Sequence, residues 1–333
     1  MTTAPLAAVT GAEGFIGSHL TEALVASGHR VRAMAQYNSF SSYGWLETLP
    51  GDVLDQVEIV LGDVRDAGSV RRFAEGADCV YHLAALIAIP YSYRAPHSYV
   101  DTNVTGTLNV LEAVRALGTP RLVHTSTSET YGTARTVPIT EEHPVQTQSP
   151  YAASKAGGDR LADSYHASFG TPVVTLRPFN TYGPRQSMRA VIPTVIGQVA
   201  AGERVLTLGD LRPTRDFTYA ADTVRAFLAV GTAPAERVVG RAFNAGTGGE
   251  ISVGDLVALI GKVMGTALDV REDPERLRPA ASEVMRLVAD ASRLREATGW
   301  RPEHDLEEGL AHTVEFFRDP AHLARYKTGI YNI

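Results

Sequence analysis

The segment that most restricts this chain is Thr10-Gly11-Ala12-Glu13-Gly14-Phe15-Ile16-Gly17, which joins an apolar run at residues 6–10 to an amphipathic pattern at 15–27. A short apolar run ending in glycine reads as a buried strand, and apolar residues recurring every three or four positions read as a helix, here closed at Gly28. Strand, glycine-rich turn and helix make one βα unit. The unit then recurs, with strands expected at 30–35, 57–61, 79–83, 121–125 and 173–177 and helices at 67–75, 98–117 and 150–169. Such alternation predicts an α/β fold, a Rossmann-type doubly wound parallel sheet. Past residue 177 the pattern gives way to loops rich in Pro, Gly and Arg, with helices expected at 192–201, 252–263 and 290–298. The expected division is a dinucleotide-binding domain of residues 1–177, completed by about 218–244, and a smaller C-terminal substrate-binding lobe of 178–217 and 245–333.

The turn carries a physical reason for its glycines. Gly11 permits the tight bend, Gly14 lets the backbone approach a pyrophosphate, and Gly17 allows close packing of helix on strand. Phe15 and Ile16 open the helix whose N-terminus faces the anion. An acidic residue that would bind the adenosine ribose is expected near Ala35 and Gln36 and is missing there, which leaves NAD unsecured: the expectation leans to NAD, with NADP not excluded. Arg32 points to a 2′-phosphate or simply to solvent, and Asn38 and Ser39 are further candidates for the ribose. Asp63 with Val64, after the third strand, and Leu83, Ala84 and Ala85, after the fourth, fall where an adenine and the rest of a dinucleotide pass.

Tyr151 and Lys155 stand four apart at the start of a helix, on one face. A phenol with a pKa of about 10 is no base at neutral pH, but a neighbouring ammonium favours its phenolate. The strand ending at Thr125 runs into Ser126-Thr127-Ser128-Glu129-Thr130-Tyr131-Gly132, a polar cluster at the carboxyl end of a parallel strand, where open α/β sheets bind ligands.

Other classes are disfavoured. A net charge of -6 offers no attraction to nucleic acid or an anionic membrane. One cysteine, Cys79 in an apolar run, leaves no disulfide framework or thiolate metal site. No metal is expected. No apolar stretch approaches the roughly twenty residues of a membrane span, and Met1 to Pro5 lack a basic leader, so a cytoplasmic protein is expected.

Thr10 to Gly17, Ser126 to Gly132, Tyr151-Ala-Ala-Ser-Lys155 and Arg177-Pro-Phe-Asn180-Thr-Tyr-Gly-Pro-Arg185 together resemble the extended short-chain dehydrogenase/reductases of the nucleotide-sugar epimerase/dehydratase family. The likeness continues through Arg215-Asp-Phe-Thr-Tyr219 and Arg278-Pro279. It implies that Thr127 bonds the sugar C4 oxygen, that Tyr151 removes its proton, and that Lys155 holds the nicotinamide ribose. Asn180, Arg185, Arg215 and Arg278 match positions that hold the substrate, the arginines suiting its diphosphate. Thr127-Ser128-Glu129 is similar to the triplet of GDP-mannose 4,6-dehydratases, whereas dTDP-glucose 4,6-dehydratases carry an aspartate where Ser128 stands. The surrounding runs resemble UDP-N-acetylglucosamine 4,6-dehydratases most. UDP-glucuronate decarboxylases and 4-epimerases remain alternatives, as does a non-catalytic dinucleotide-binding protein. Tyr91, Ser92 and Tyr93 are candidate sugar contacts or ordinary loop packing. The resemblance also implies a homodimer through the helices at 98–117 and 150–169.

Overall fold

In the computed structural model, which describes residues 4–330 and 332, the apolar runs pair into one seven-stranded parallel sheet. Its strands are β1 (Leu6–Thr10), β2 (Arg30–Gln36), β3 (Val57–Gly62), β4 (Cys79–His82), β5 (Leu122–Thr125), β6 (Val173–Pro178) and an edge strand Ala242–Ala245. Their order is edge strand, β6, β5, β4, β1, β2, β3, so the winding reverses between β4 and β1. A crevice opens at the carboxyl ends of those two strands, because their connections leave toward opposite faces.

Alternation along each strand divides the apolar side chains between two cores. Ala7, Val9, Tyr81 and Val123 meet Leu20 and Leu24 of helix α1 (Phe15–Ala26), while Ala8, Val80 and Leu122 meet Val70, Phe73 and Val114 on the other side. A third core, including Ile192, Val195, Leu256 and Phe317, builds the second lobe. Burial pushes the Cys79 thiol up to about 12, so it is held as an unreactive thiol.

Two expectations change. Residues 98–117 are not one α-helix: Pro96–Tyr99 and Gly106–Leu117 are α-helical, and Val100–Thr105 between them is π-helical. The wider turn carries Asn103, whose carbonyl oxygen accepts from the Leu86 N–H at 2.9 Å while its amide donates to Leu86 O and Ser154 Oγ, both at 2.9 Å. A π-helical insertion of this kind is a recognised device at functional sites. Leu294 and Trp300, assigned above to the C-terminal lobe, instead pack into the core beneath the sheet. The Trp300 indole donates to Asp222 O at 3.0 Å, which fixes the chain after the Ser292–Thr298 helix against the first domain.

Candidate active site

Between the carboxyl edge of the sheet and the second lobe lies a cleft of about 860 Å³. Its floor is the β1–β4 junction. Thr10 Oγ1 accepts from the Leu83 and Ala84 N–H groups, each at 3.1 Å, and holds the two strand ends together. Gly11 has φ +68, and a Cβ there would stand 2.8 Å from Ala84 N. A Cβ on Gly17 would stand 2.0 Å from Gly11 O, so any side chain would pry α1 off the turn. Helix α1 starts at Gly14 with no side-chain cap and no acidic residue in its first turn, which leaves its positive end for an anion from outside. Gly11, Gly14, Phe15, Ile16, Gly17, Asp63, Val64, Leu83, Ala84 and Ala85 all line the cleft.

Thr127, Ser128, Glu129, Tyr151 and Lys155 meet in the same cleft. Thr127 caps the short turn Ser128–Tyr131, its Oγ1 accepting from the Glu129 N–H at 3.2 Å. Pro150 opens the Pro150–Phe169 helix and Ser149 caps it, which sets Tyr151 in the first turn with Lys155 one turn on. Burial drives the Tyr151 phenol well above its ordinary value, and the Thr127 hydroxyl is the group that pulls it back. Lys155 lines the same cleft and is held by the end of β5. Its Nζ donates to Thr125 O at 2.5 Å, and burial pushes its ammonium down to about 8.

Sequence reasoning missed Asp159. It follows Tyr151 and Lys155 on the same helical face, eight residues past the tyrosine, and that stripe was the available signal. Fully buried, it accepts from His124 Nε2 at 3.0 Å, Ser126 Oγ at 2.7 Å and Arg177 Nη2 at 3.0 Å. Arg177 also reaches Tyr131 Oη at 2.9 Å. Burial alone would raise the Asp159 carboxyl, but the His124 hydrogen bond and the Arg177 charge hold it at about 2. This network ties β5, β6 and the catalytic helix into one unit.

The second lobe supplies the cations. Arg215 Nη2 donates to Glu283 Oε1 at 3.3 Å, and Arg278 Nη1 lies 3.6 Å from the same oxygen with no hydrogen-bond partner. Burial lowers the Arg215 guanidinium despite the Glu129 and Glu283 carboxylates beside it. The buried Asn180 Nδ2 is also unpartnered. Arg185 is placed differently: in a left-handed conformation (φ +69), it donates to Glu22 Oε2 on α1 at 2.7 Å and sits near the glycine turn.

Several candidates turn out to be structural. Arg32 donates to Glu58 at 2.7 Å and to Phe73 O and Glu75 O, each at 2.8 Å. Asn38 ties its own loop, accepting from Phe40 and Ser42 N–H groups, and Ser39 is exposed. Tyr91, Ser92 and Tyr93 lie on the short helix Ile89–Arg94 rather than in a loop: Ser92 is buried on Ile89 O, Tyr93 bonds Ser282, and the exposed Tyr91 packs near Tyr99. Asp63 keeps its place on the cleft, with its carboxyl held low by the Arg65 hydrogen bond. Among the described residues there is no cluster that could hold a metal ion and no helix long and apolar enough to cross a membrane.

Known proteins share this arrangement. A UDP-glucose 4-epimerase of Mycolicibacterium smegmatis is 36% identical over 93% of this chain and 98% of its own length. A dTDP-glucose 4,6-dehydratase of Xanthomonas campestris is 33% identical over 93% of this chain and 92% of its own. Among solved structures, a dTDP-glucose 4,6-dehydratase of Streptomyces venezuelae with bound NAD superposes with a TM-score of 0.85 at 30% identity, covering 97% of this chain and 99% of that one. The family model described as GDP-mannose 4,6 dehydratase matches residues 8–313, from the first sheet strand into the last long helix, and the chain belongs to that family.

Proposed function

We propose that this chain is an NAD-dependent nucleotide-sugar 4,6-dehydratase acting on UDP-N-acetylglucosamine. The observation that carries the reading is Glu129, a carboxylate in the same cleft as Tyr151 and close enough to Arg215 for its charge to oppose the lowering that burial imposes on that guanidinium. Rotation of a 4-keto sugar needs no such group, whereas elimination across C5 and C6 needs a base at C5. The cleft also fits a dinucleotide: the uncapped N-terminus of α1 and the glycines that a Cβ would obstruct form a cradle for its pyrophosphate.

Bound NAD supplies the acceptor for the C4 hydride and the donor that returns it to C6. Tyr151, its phenolate favoured by the Lys155 ammonium together with the positive nicotinamide ring of bound NAD, takes the C4 hydroxyl proton while Thr127 holds the oxygen, leaving a ketone that acidifies the C5 proton. Glu129 removes that proton and passes it to the C6 hydroxyl, which departs as water. Ser128 is too weak an acid to do this, so one carboxyl serves both atoms. The hydride returns to C6 and solvent supplies the new C5 proton, so the cycle is redox-neutral. Arg215, Arg278 and Asn180 hold the diphosphate side of the substrate.

With UDP-N-acetylglucosamine in heavy water, the product is expected to lack one water and carry deuterium at C5. Glu129→Gln should suppress that exchange and slow product formation by about 10²-fold or more, while reduced dinucleotide accumulates. An isomer of unchanged mass would identify an epimerase and sink the dehydratase reading, and loss of carbon dioxide from UDP-glucuronate would identify a decarboxylase. Arg278→Ala removes a charge-assisted contact common to ground and transition states. KM should rise about 10-fold to 100-fold with kcat little changed, and a fall in kcat at constant KM would refute that role.

A further inference from the structure

We propose that Glu13 recognises the adenosine ribose of the dinucleotide and selects a free 2′-hydroxyl over a 2′-phosphate, an inference that rests on the dinucleotide-dependent reading above. Dinucleotide sheets of this kind usually place the ribose-binding acid at the end of the second strand. Here that strand ends Ala35-Gln36, without one. The structure brings a carboxylate to the same place from another part of the chain. Glu13, in the turn after β1, accepts from the Gln36 N–H through Oε1 at 3.1 Å, so its head group lies at the carboxyl end of β2. Its second oxygen, Oε2, is buried without a hydrogen-bond partner, and the residue lines the cleft.

A buried carboxylate oxygen left unmatched is costly, and a donor arriving with a ligand would satisfy it. The 2′-hydroxyl of a ribose is such a donor. A 2′-phosphate is the reverse, bringing negative charge against a carboxylate at short range. Burial raises the Glu13 carboxyl and the Gln36 N–H opposes this, as expected for a group awaiting a donor. The cations on this part of the sheet are already engaged: Arg32 by Glu58 and two carbonyls, Arg65 by Asp63 at 2.5 Å. The Glu13 backbone is fixed as well, its carbonyl accepting from Trp45 N–H at 3.0 Å, which holds the loop after β2 against the turn. Two distant segments are thus joined at one residue, and the acid missing from β2 is supplied by the glycine turn itself.

The test measures binding of NAD and NADP to protein stripped of dinucleotide, by calorimetry without sugar substrate. The wild-type chain should favour NAD by about 100-fold or more. Glu13→Gln, which keeps the shape, should weaken NAD by about 10-fold to 100-fold, the range for a hydrogen bond to a charged group, and bring the two affinities close together. Adding Gln36→Asp to that variant returns an acid to β2 and should restore the preference, which a merely structural role for Glu13 would not allow. Unchanged NAD affinity and selectivity in Glu13→Gln would overturn the proposal while leaving the dehydratase reading intact. Wild-type protein that binds NADP more tightly would overturn it too, and protein that binds neither dinucleotide would overturn both.

Discussion

Tyr151→Phe is expected to lower kcat by about 10⁴-fold, the upper end for loss of a general acid–base group, because every later step depends on the C4 ketone. The ring is buried and edge-on to Tyr99, so a phenylalanine fits the same space, and the variant should fold and keep its dinucleotide. Lys155 and its contact with Thr125 O are untouched by the change. The measurement is single-turnover dinucleotide reduction with UDP-N-acetylglucosamine. A variant retaining more than about one tenth of wild-type kcat would show that another group takes the C4 proton.

Asp159→Ala should give the largest loss of stability. It strips the partner from Arg177, leaves His124 and Ser126 without their acceptor, and opens a space in the core beside the catalytic helix. Removing one member of a buried ion pair costs about 3–5 kcal/mol, which corresponds to a melting temperature lower by roughly 4–7 °C in a chain of this size. The wild-type protein should also be acid-sensitive in a defined direction. The folded Asp159 carboxyl is held down to about 2 against an ordinary 3.8, so its stabilisation is present above pH 4 and is lost as pH falls toward 2. His124, kept neutral by burial, adds to this loss below the ordinary imidazole value of 6.5, where the unfolded chain takes up the proton that the folded one refuses. Melting curves between pH 7 and pH 2 test both statements. The variant should show a shallower acid limb, and an unchanged limb would place the sensitivity elsewhere.

Six of the seven strands were legible because the central ones, such as β1 and β6, are buried on both faces and read as continuous apolar runs, and their boundaries fall within a residue or so. The edge strand Ala242–Ala245 was not among them. The placing of Tyr151 and Lys155 in one cleft was legible for a different reason: i,i+4 spacing after a proline-opened helix is local, and so is the glycine turn. What escaped the sequence depends on contacts between distant segments. Glu13 and Gln36 meet only because β1 and β2 are neighbours in the sheet, and the glycine pattern directs attention to the backbone rather than to the side chain between. Arg32 looked available from its strand position, yet its partners come from β3 and from the end of the following helix. The Asn103 insertion was invisible for want of any change in composition.

The edge strand Ala242–Ala245 has a consequence for how the protein is made. Strand β6, whose first five residues are buried, leaves the ribosome well before its neighbour, since the chain first traces part of the second lobe and then returns. At about 5–20 residues per second this interval lasts several seconds, during which the β6 edge and the apolar side chains that later receive Phe243 stand open. A nascent chain stalled short of residue 245 therefore exposes a long unpaired edge, an invitation to strand-to-strand aggregation. Ribosome pausing in this window, or a truncation ending before it, favours insoluble product over an independently folded first domain.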